Sequence, residues 1–455
     1  MRDSSCSFRS VVVAIAVFVT VVLLSSTARL ASAELRAGAS TADITPPVGG
    51  QMYGYGARGT NVSTGVHDKL HAKALVLSNG TTHLAIVSLD LGSITAGNTA
   101  VVRKIVRAET PIEHVLLVAS HTHSSPRFAP DFPSKEKPYV SVMERAVARA
   151  IVEAYRKLEP ARIGVASGRV AEGHNRRKVL KDGTVKMLWG NRERAVTSPV
   201  DYSLTVIGID SVRGPPIATL VNFACHPVVL GPENLEISAD YPGVMKARVE
   251  RDIGGECLFV QGAAGDINPF WDKTPPAEGG FEQVRILGEA LGKEAVRVRR
   301  SISRTETSPA ISVVRQGVRL KSRWDFGDPE VRAAVTRSSG TRVFKYYVDR
   351  FERERDVEVH TVLVGSSLAL AFFPGEFFVE HGLRLKKSSV IENTVFVGYT
   401  NGAPGYFPTI RAAAQGGYGA LEATIVEVGA GERLVDLALI RLHYQAGRLH
   451  RVPRF

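Results

Sequence analysis

Residues 113–125 read EHVLLVASHTHSS, an apolar run from Glu113 to Ala119 that empties into Ser120-His121-Thr122-His123. So short an apolar stretch, rich in valine and leucine and stopped by polar residues, reads as a buried strand. The phrase recurs. His83 to Leu91 (HLAIVSLDL) carries Asp90 near its end, and Ile217 to Ala224 (IATLVNFA) runs into Cys225-His226-Pro227. Cys257 to Val260 leads into QGAAGDINP, residues 261–269. Val362 to Phe373 (VLVGSSLALAFF) reaches Pro374-Gly375-Glu376, and Thr394 to Gly398 (TVFVG) reaches YTNGAPGYFP, residues 399–408. Between them lie helical patterns. Glu144 to Leu158 brings Val147, Ile151 and Tyr155 to one face, and residues 243–252, 281–300 and 377–387 also read as helices. Strands alternating with helices predict an α/β fold: a mixed β-sheet core, flanking helices, and a site at the strand ends. The more polar segment from Arg299 to Arg355, with a turn over Trp324 to Pro329 and a helix after it, reads as an insertion or the joint to a second lobe. No internal repeat is visible in the sequence.

Ahead of this pattern stands a segment of another kind. Arg2 and Arg9 precede the apolar run Val11 to Leu24, and Ala31-Ser32-Ala33 stands just before Glu34. This is the layout of a secretory signal peptide over residues 1–33, with an uncleaved N-terminal anchor as the alternative. A secreted or periplasmic destination follows. Beyond the leader no stretch approaches membrane length without charges or glycines, so no other integral membrane segment is predicted.

The chain of 455 residues is 44% hydrophobic and 22% charged, ordinary globular values that do not favour disorder. Its formal charge of +12 falls to about +10 without the leader, where three arginines outweigh one aspartate. The surplus suits contact with an anionic surface. The cations are scattered and form no basic–aromatic stripe, which argues against nucleic acid. Past the leader only Cys225 and Cys257 remain, so one disulfide at most is available and a buried core must carry the stability.

An H-x-H at a strand end aims both imidazoles one way, because strand side chains alternate with period two, which suits His121 and His123 to a metal. The histidine pair also reads as ordinary turn residues. His226, beyond another strand, reads by itself as a structural histidine capping a carbonyl. Glu376 follows one of the most apolar runs, so its carboxylate needs a partner or a metal, or caps the next helix. Together, two imidazoles and a carboxylate suit a catalytic zinc, whose bound water loses its proton near pH of about 7.

The segments HTHSSP, NFACHP, QGAAGDINP, PGEF and NGAPGY…GGY, in this order, resemble the neutral ceramidase family. These are secreted or membrane-associated zinc amidases that cleave the N-acyl bond of ceramide. The resemblance runs from about Gly38 to Leu442 and makes residues 34–455 a ceramidase-like catalytic domain. It implies Zn2+ held by His121, His226, Glu376 and Tyr406, the last through the frame Asn401-x4-Tyr406. It implies that His123 handles protons or polarises the scissile carbonyl, and that Arg176, in His174-Asn175-Arg176, stabilises the oxyanion. Tyr418, twelve residues past Tyr406, would line the same site. Without the family, both tyrosines read as loop aromatics, and Arg176 is one of 57 lysines and arginines.

Two departures matter. Where the family carries a central serine in G-D-x-S-P, this chain reads Gly265-Asp266-Ile267-Asn268-Pro269, and an asparagine cannot act as a hydroxyl nucleophile. Asn268 is therefore expected to orient substrate or water. Ceramidases also continue into an immunoglobulin-like domain, whereas this sequence ends in a short basic tail. The metal site carries over from the resemblance; ceramide as substrate does not. The expected function is an exported zinc-dependent hydrolase that cleaves an amide or ester of a small molecule or lipid by metal-activated water. Phosphate or sulfate esters suit the same residues. An exported binding protein with a structural zinc is the non-enzymatic rival.

Overall fold

The computed structural model describes residues 34–128, 139–334, 336–337, 352–421 and 423–450. The expected signal peptide lies outside the described residues. The main elements follow one order three times. First come β1 (Arg36–Asp43), β2 (His71–Ser78), β3 (His83–Leu89), α1 (Ala96–Glu109), β4 (His114–Ala119) and α2 (Tyr139–Arg156). Then come β5 (Glu159–Arg169), β6 (Ser203–Ser211), β7 (Pro216–Phe223), α3 (Tyr241–Ile253), β8 (Glu256–Gln261) and α4 (Gly280–Ser301). Last are β9 (Ile311–Lys321), β10 (Glu354–Val364), β11 (Leu368–Phe372), α5 (Val379–Ser388), β12 (Asn393–Val397) and α6 (Ala430–Gln445). In every third the first three strands run antiparallel in sequence, and the fourth pairs parallel with the third across a helical crossover. The sequence shows no repeat, but the topology has one.

The first two thirds share an 8-stranded sheet in the order β8-β7-β6-β5-β1-β2-β3-β4, and the last third forms a 4-stranded sheet, β9-β10-β11-β12. Alternating side chains decide how they stack. Along β2, Leu75 and Leu77 join Ile207, Leu220, Val362 and Leu370 in a core lined by both sheets. Ala74 and Val76 point the other way, into a core shared with Val102 of α1 and Val147 of α2. Helices α3 and α4 cover the second half of the large sheet, and α5 and α6 cover the far face of the small one. The result is four layers: helices, sheet, sheet, helices. This is the mixed α/β architecture that the sequence predicts.

Three expectations need correcting. The run Val362 to Phe373 is not one strand: a turn at residues 365–367 folds it into β10 and β11, with Gly365 at φ 59° making the reversal. The polar stretch after Arg299 is not a joint to a second lobe, because it supplies β9, paired along its length with β10. Its alternating exposed residues mark an edge strand, which polar side chains suit. The helix expected from Glu144 begins earlier, at Tyr139, whose hydroxyl donates to the Ile44 carbonyl. Cys225 and Cys257 are both buried and free. Among the described residues no helix is long and apolar enough to cross a membrane.

Candidate active site

The loops past β4, β7, β8, β11 and β12 converge at one end of the two sheets. β4 stops at Ala119, and His121 then turns into the left-handed region at φ 72°. The two imidazoles of the H-x-H do come together, with His123 Nε2 3.3 Å from His121 Nε2. They do so through this turn and not through strand alternation, which has already ended. His226 arrives from the loop after β7. The ligand atoms of His121, His123 and His226 lie within 4.8 Å of one another, so His123, expected beside the metal, belongs to the same cluster. Glu376 closes it, its Oε2 3.2 Å from Nε2 of both His121 and His226. It does not cap the following helix; a two-residue parallel ladder aligns Glu376 and Phe377 with Tyr406 and Phe407.

The far nitrogens explain why the near ones are free. His121 Nδ1 lies 2.6 Å from the Gly92 carbonyl oxygen, and His226 Nδ1 2.6 Å from that of Ala264. A carbonyl can only accept, so both Nδ1 atoms carry a proton, which leaves the two Nε2 atoms facing Glu376. Burial lowers the His226 pKa to about 4, leaving it neutral at pH 7. Burial, helped by the neighbouring His121 and His226, holds His123 well below its ordinary value. Burial by itself would raise the Glu376 carboxyl, but His121 and His226 hold it well below the usual range, so it stays ionised. For His226 and Glu376 these, a neutral imidazole and an ionised carboxylate, are the ligand-competent forms. This donor set fits a divalent ion of borderline softness such as zinc.

Beside the cluster, Arg176 is buried, with both Nη atoms engaged. Its Nη2 donates to the Gly265 carbonyl at 2.6 Å and to the Tyr406 hydroxyl at 3.2 Å, and its Nη1 donates to Asn268 Oδ1 at 3.1 Å. The guanidinium lies 5.3–5.6 Å from the ring centroids of Trp189, Tyr406 and Tyr418. Asn268 Nδ2 in turn donates to Asp272 at 2.7 Å. So every residue singled out in the sequence meets here, in two linked groups: His121, His123, His226 and Glu376, and then Tyr406, Arg176, Asn268 and Tyr418. Burial, with the Glu376 carboxylate beside it, raises the Tyr406 phenol well above its ordinary value.

Sequence reasoning missed Tyr399, Trp189 and Asp272. Tyr399 packs its ring 4.5 Å from that of His121 and has φ 54°. It opens the YTNGAPGYFP block, where its place directly after a strand was the available signal. Asp272 lies one helical period past Asn268, a spacing that meant nothing until the loop was folded.

Comparison with known proteins follows the same lines. Residues 35–316 match the family model for the neutral/alkaline non-lysosomal ceramidase, N-terminal. The neutral ceramidase of Pseudomonas aeruginosa is 24% identical over 359 residues, 73% of this chain and 52% of that protein. Neutral ceramidase A of Dictyostelium discoideum is 26% identical over 259 residues, 51% of this chain and 35% of that protein. The chain thus spans about half or less of these relatives' length. A solved ceramidase complexed with C2 superimposes with a TM-score of 0.72 at 18% identity, covering 93% of this chain and 77% of that one. The crystal structure of neutral ceramidase from Pseudomonas aeruginosa gives 0.71 at 19%, covering 93% and 76%.

Proposed function

This chain belongs to the neutral/alkaline non-lysosomal ceramidase family, and from that premise we propose that it is an exported zinc-dependent amidase acting on an N-acyl compound other than ceramide. The observation that carries the metal assignment is the pair of Nδ1–carbonyl contacts, which free the Nε2 atoms of His121 and His226 to converge on Glu376. His121, His226, Glu376 and Tyr406 would hold the ion. When bound, zinc supplies a Lewis acid and a nucleophile at neutral pH.

The protein's own groups account for the rest. His123, neutral at pH 7 and with a buried Nδ1 that has no partner among the described residues, can take and return a proton at the scissile bond. Arg176 is positioned to stabilise negative charge as it develops on the carbonyl oxygen, and its buried Nε–H also lacks a partner among the described residues. Asn268 has both ends of its amide engaged, by Arg176 and Asp272, so its role is to orient the guanidinium. These two unpartnered groups favour catalysis over a purely structural ion, which needs no such reserve. A lipid or small-molecule amide fits; an ester fits the same machinery.

The test is metal content and turnover together. Purified protein should carry close to one zinc per chain, lose hydrolysis of N-acyl amides on chelation, and regain it with zinc. Metal-free protein that hydrolyses as fast as the zinc-loaded form would end this reading. Export is tested separately, by N-terminal sequencing of the exported protein: it should begin at or next to Glu34, and an intact Met1 would favour an anchor.

A further inference from the structure

Five side chains close a ring beside the metal cluster. Arg176 Nη1 donates to Asn268 Oδ1 at 3.1 Å, and Asn268 Nδ2 donates to Asp272 Oδ2 at 2.7 Å. Lys273 Nζ donates to that same Oδ2, also at 2.7 Å. The Lys273 ammonium stands 4.2 Å from the centre of the Trp189 ring, and the Arg176 guanidinium lies 5.4 Å from it. Backbone ties hold the segment at both ends. Asn268 pairs with His174 in the short antiparallel ladder just before Arg176. Lys273 and Thr274 donate their N–H groups to the Val228 and Val229 carbonyls at 2.9 and 2.7 Å, just past His226.

The polarity of the ring admits one arrangement. A guanidinium and an ammonium only donate, an ionised carboxylate only accepts, and an amide does both from opposite ends. Asn268 must therefore turn its oxygen to Arg176 and its nitrogen to Asp272. Pairing with Lys273 does not by itself account for the carboxylate. The Lys273 side chain is 31% exposed and within reach of water, whereas that of Asp272 is fully buried. Both contacts fall on Oδ2, and the buried Oδ1 has no partner among the described residues. A carboxylate buried in this way costs stability, and a buried polar atom left unpartnered calls for a reason other than stability.

We propose that Asp272 is a positioning residue for the hydrolysis: it sets the Asn268 amide, and through it the Arg176 guanidinium that faces the developing oxyanion. The inference rests on the amidase reading above and carries it to a residue that acts only through its neighbours.

The experiment exchanges the two side chains in zinc-supplemented full-length protein. It is assayed on whichever of N-hexanoylglycine, N-hexanoylethanolamine and N-hexanoylglucosamine the wild type hydrolyses. In Asn268→Asp two carboxylates meet where an amide now donates, and kcat should fall about 10²–10³-fold. In Asp272→Asn a neutral acceptor replaces a charged one, and kcat should fall about tenfold. The double variant Asn268→Asp plus Asp272→Asn again sets a donor against an acceptor at every contact. The new carboxylate accepts from Arg176 and from the new amide, whose oxygen accepts from Lys273. Its kcat should return to within about tenfold of the wild type, with KM and zinc content unchanged in all three. A double variant no faster than Asn268→Asp, or a loss of zinc that follows the loss of rate, would overturn the role. Should Asn268→Asp fail to fold, Asp272→Leu removes the acceptor at nearly constant volume. A kcat lowered about tenfold or more at full zinc content supports the role, and a wild-type kcat refutes it. If the wild type hydrolyses none of the three amides, the amidase reading fails, and a crystal structure of Asp272→Leu decides the positioning by itself. A guanidinium moved off residue 268 supports it; an unmoved one refutes it.

Discussion

His121 holds its backbone at φ 72°, a conformation that costs a non-glycine residue about 1–2 kcal/mol. The contacts that enforce it are the His121 N–H to the Leu91 carbonyl at 2.9 Å and the ring nitrogen to Gly92. Strain of this kind concentrates at functional positions. It gives a prediction that separates backbone from side chain. His121→Gly and His121→Ala should both lose the metal, but the glycine variant should be more stable than the alanine variant by about 1 kcal/mol, read by denaturant unfolding of the metal-free proteins. Equal stability would mean that the turn is not strained. Asn268 makes the contrasting case. Removing its amide frees Arg176 without removing a ligand, so Asn268→Ala should keep its zinc while losing about 10²–10³ in kcat. Loss of zinc along with rate would make Asn268 part of the metal site. The histidines, the glutamate and the asparagine were legible as polar residues just past apolar runs. Which of them share a ligand sphere was not, because that depends on a turn at residue 121 and on carbonyls that carry no sequence signature.

Among the elements, the least visible connection in the sequence is the one between the two sheets. Glu358 of β10 pairs with Arg103 of α1 at 2.5 Å, and it accepts from the Asn401 side chain at 2.9 Å. Asn401, another positive-φ residue at 58°, also takes the Leu117 N–H at 2.8 Å. One carboxylate therefore links the small sheet to the helix and strand that carry His121. Burial by itself would raise Glu358, but His360 and Arg103 hold it well below the ordinary carboxylate range. A carboxyl depressed by folding contributes stability that is complete above its unfolded value near 4.5 and is lost as pH falls through the folded one. Glu358→Gln should thus destabilise by roughly 2–4 kcal/mol at pH 7 and flatten the decline in Tm below about pH 4.5. An unchanged acid decline would exclude this pair as its source. Periodicity found most of the strands and helices because each buries its own face. It merged β10 with β11, since Gly365-Ser366-Ser367 interrupts the apolar run too briefly to register, and it could not say which sheet faces which.

For the whole molecule, three thirds of one topology bury continuous cores between and outside the sheets, and the candidate metal site sits at their rim. A fold held in this way should outlast its ion. Chelated protein should keep its far-ultraviolet circular dichroism and its cooperative unfolding, with Tm lowered only by the binding free energy of the metal. Collapse of the fold on chelation would instead assign the ion a structural role. The order of the thirds has a consequence in time. His121 and His123 come with the first, His226 with the second, and Glu376 and Tyr406 with the last, His226 and Glu376 being 150 positions apart. As the chain leaves the ribosome N-terminus first, the imidazoles exist well before the only carboxylate of the cluster. Until then the site can offer a metal its imidazoles without the Glu376 carboxylate. Charge-matched capture awaits the final third, so retention of a metal would report that this third has been made and folded against the other two.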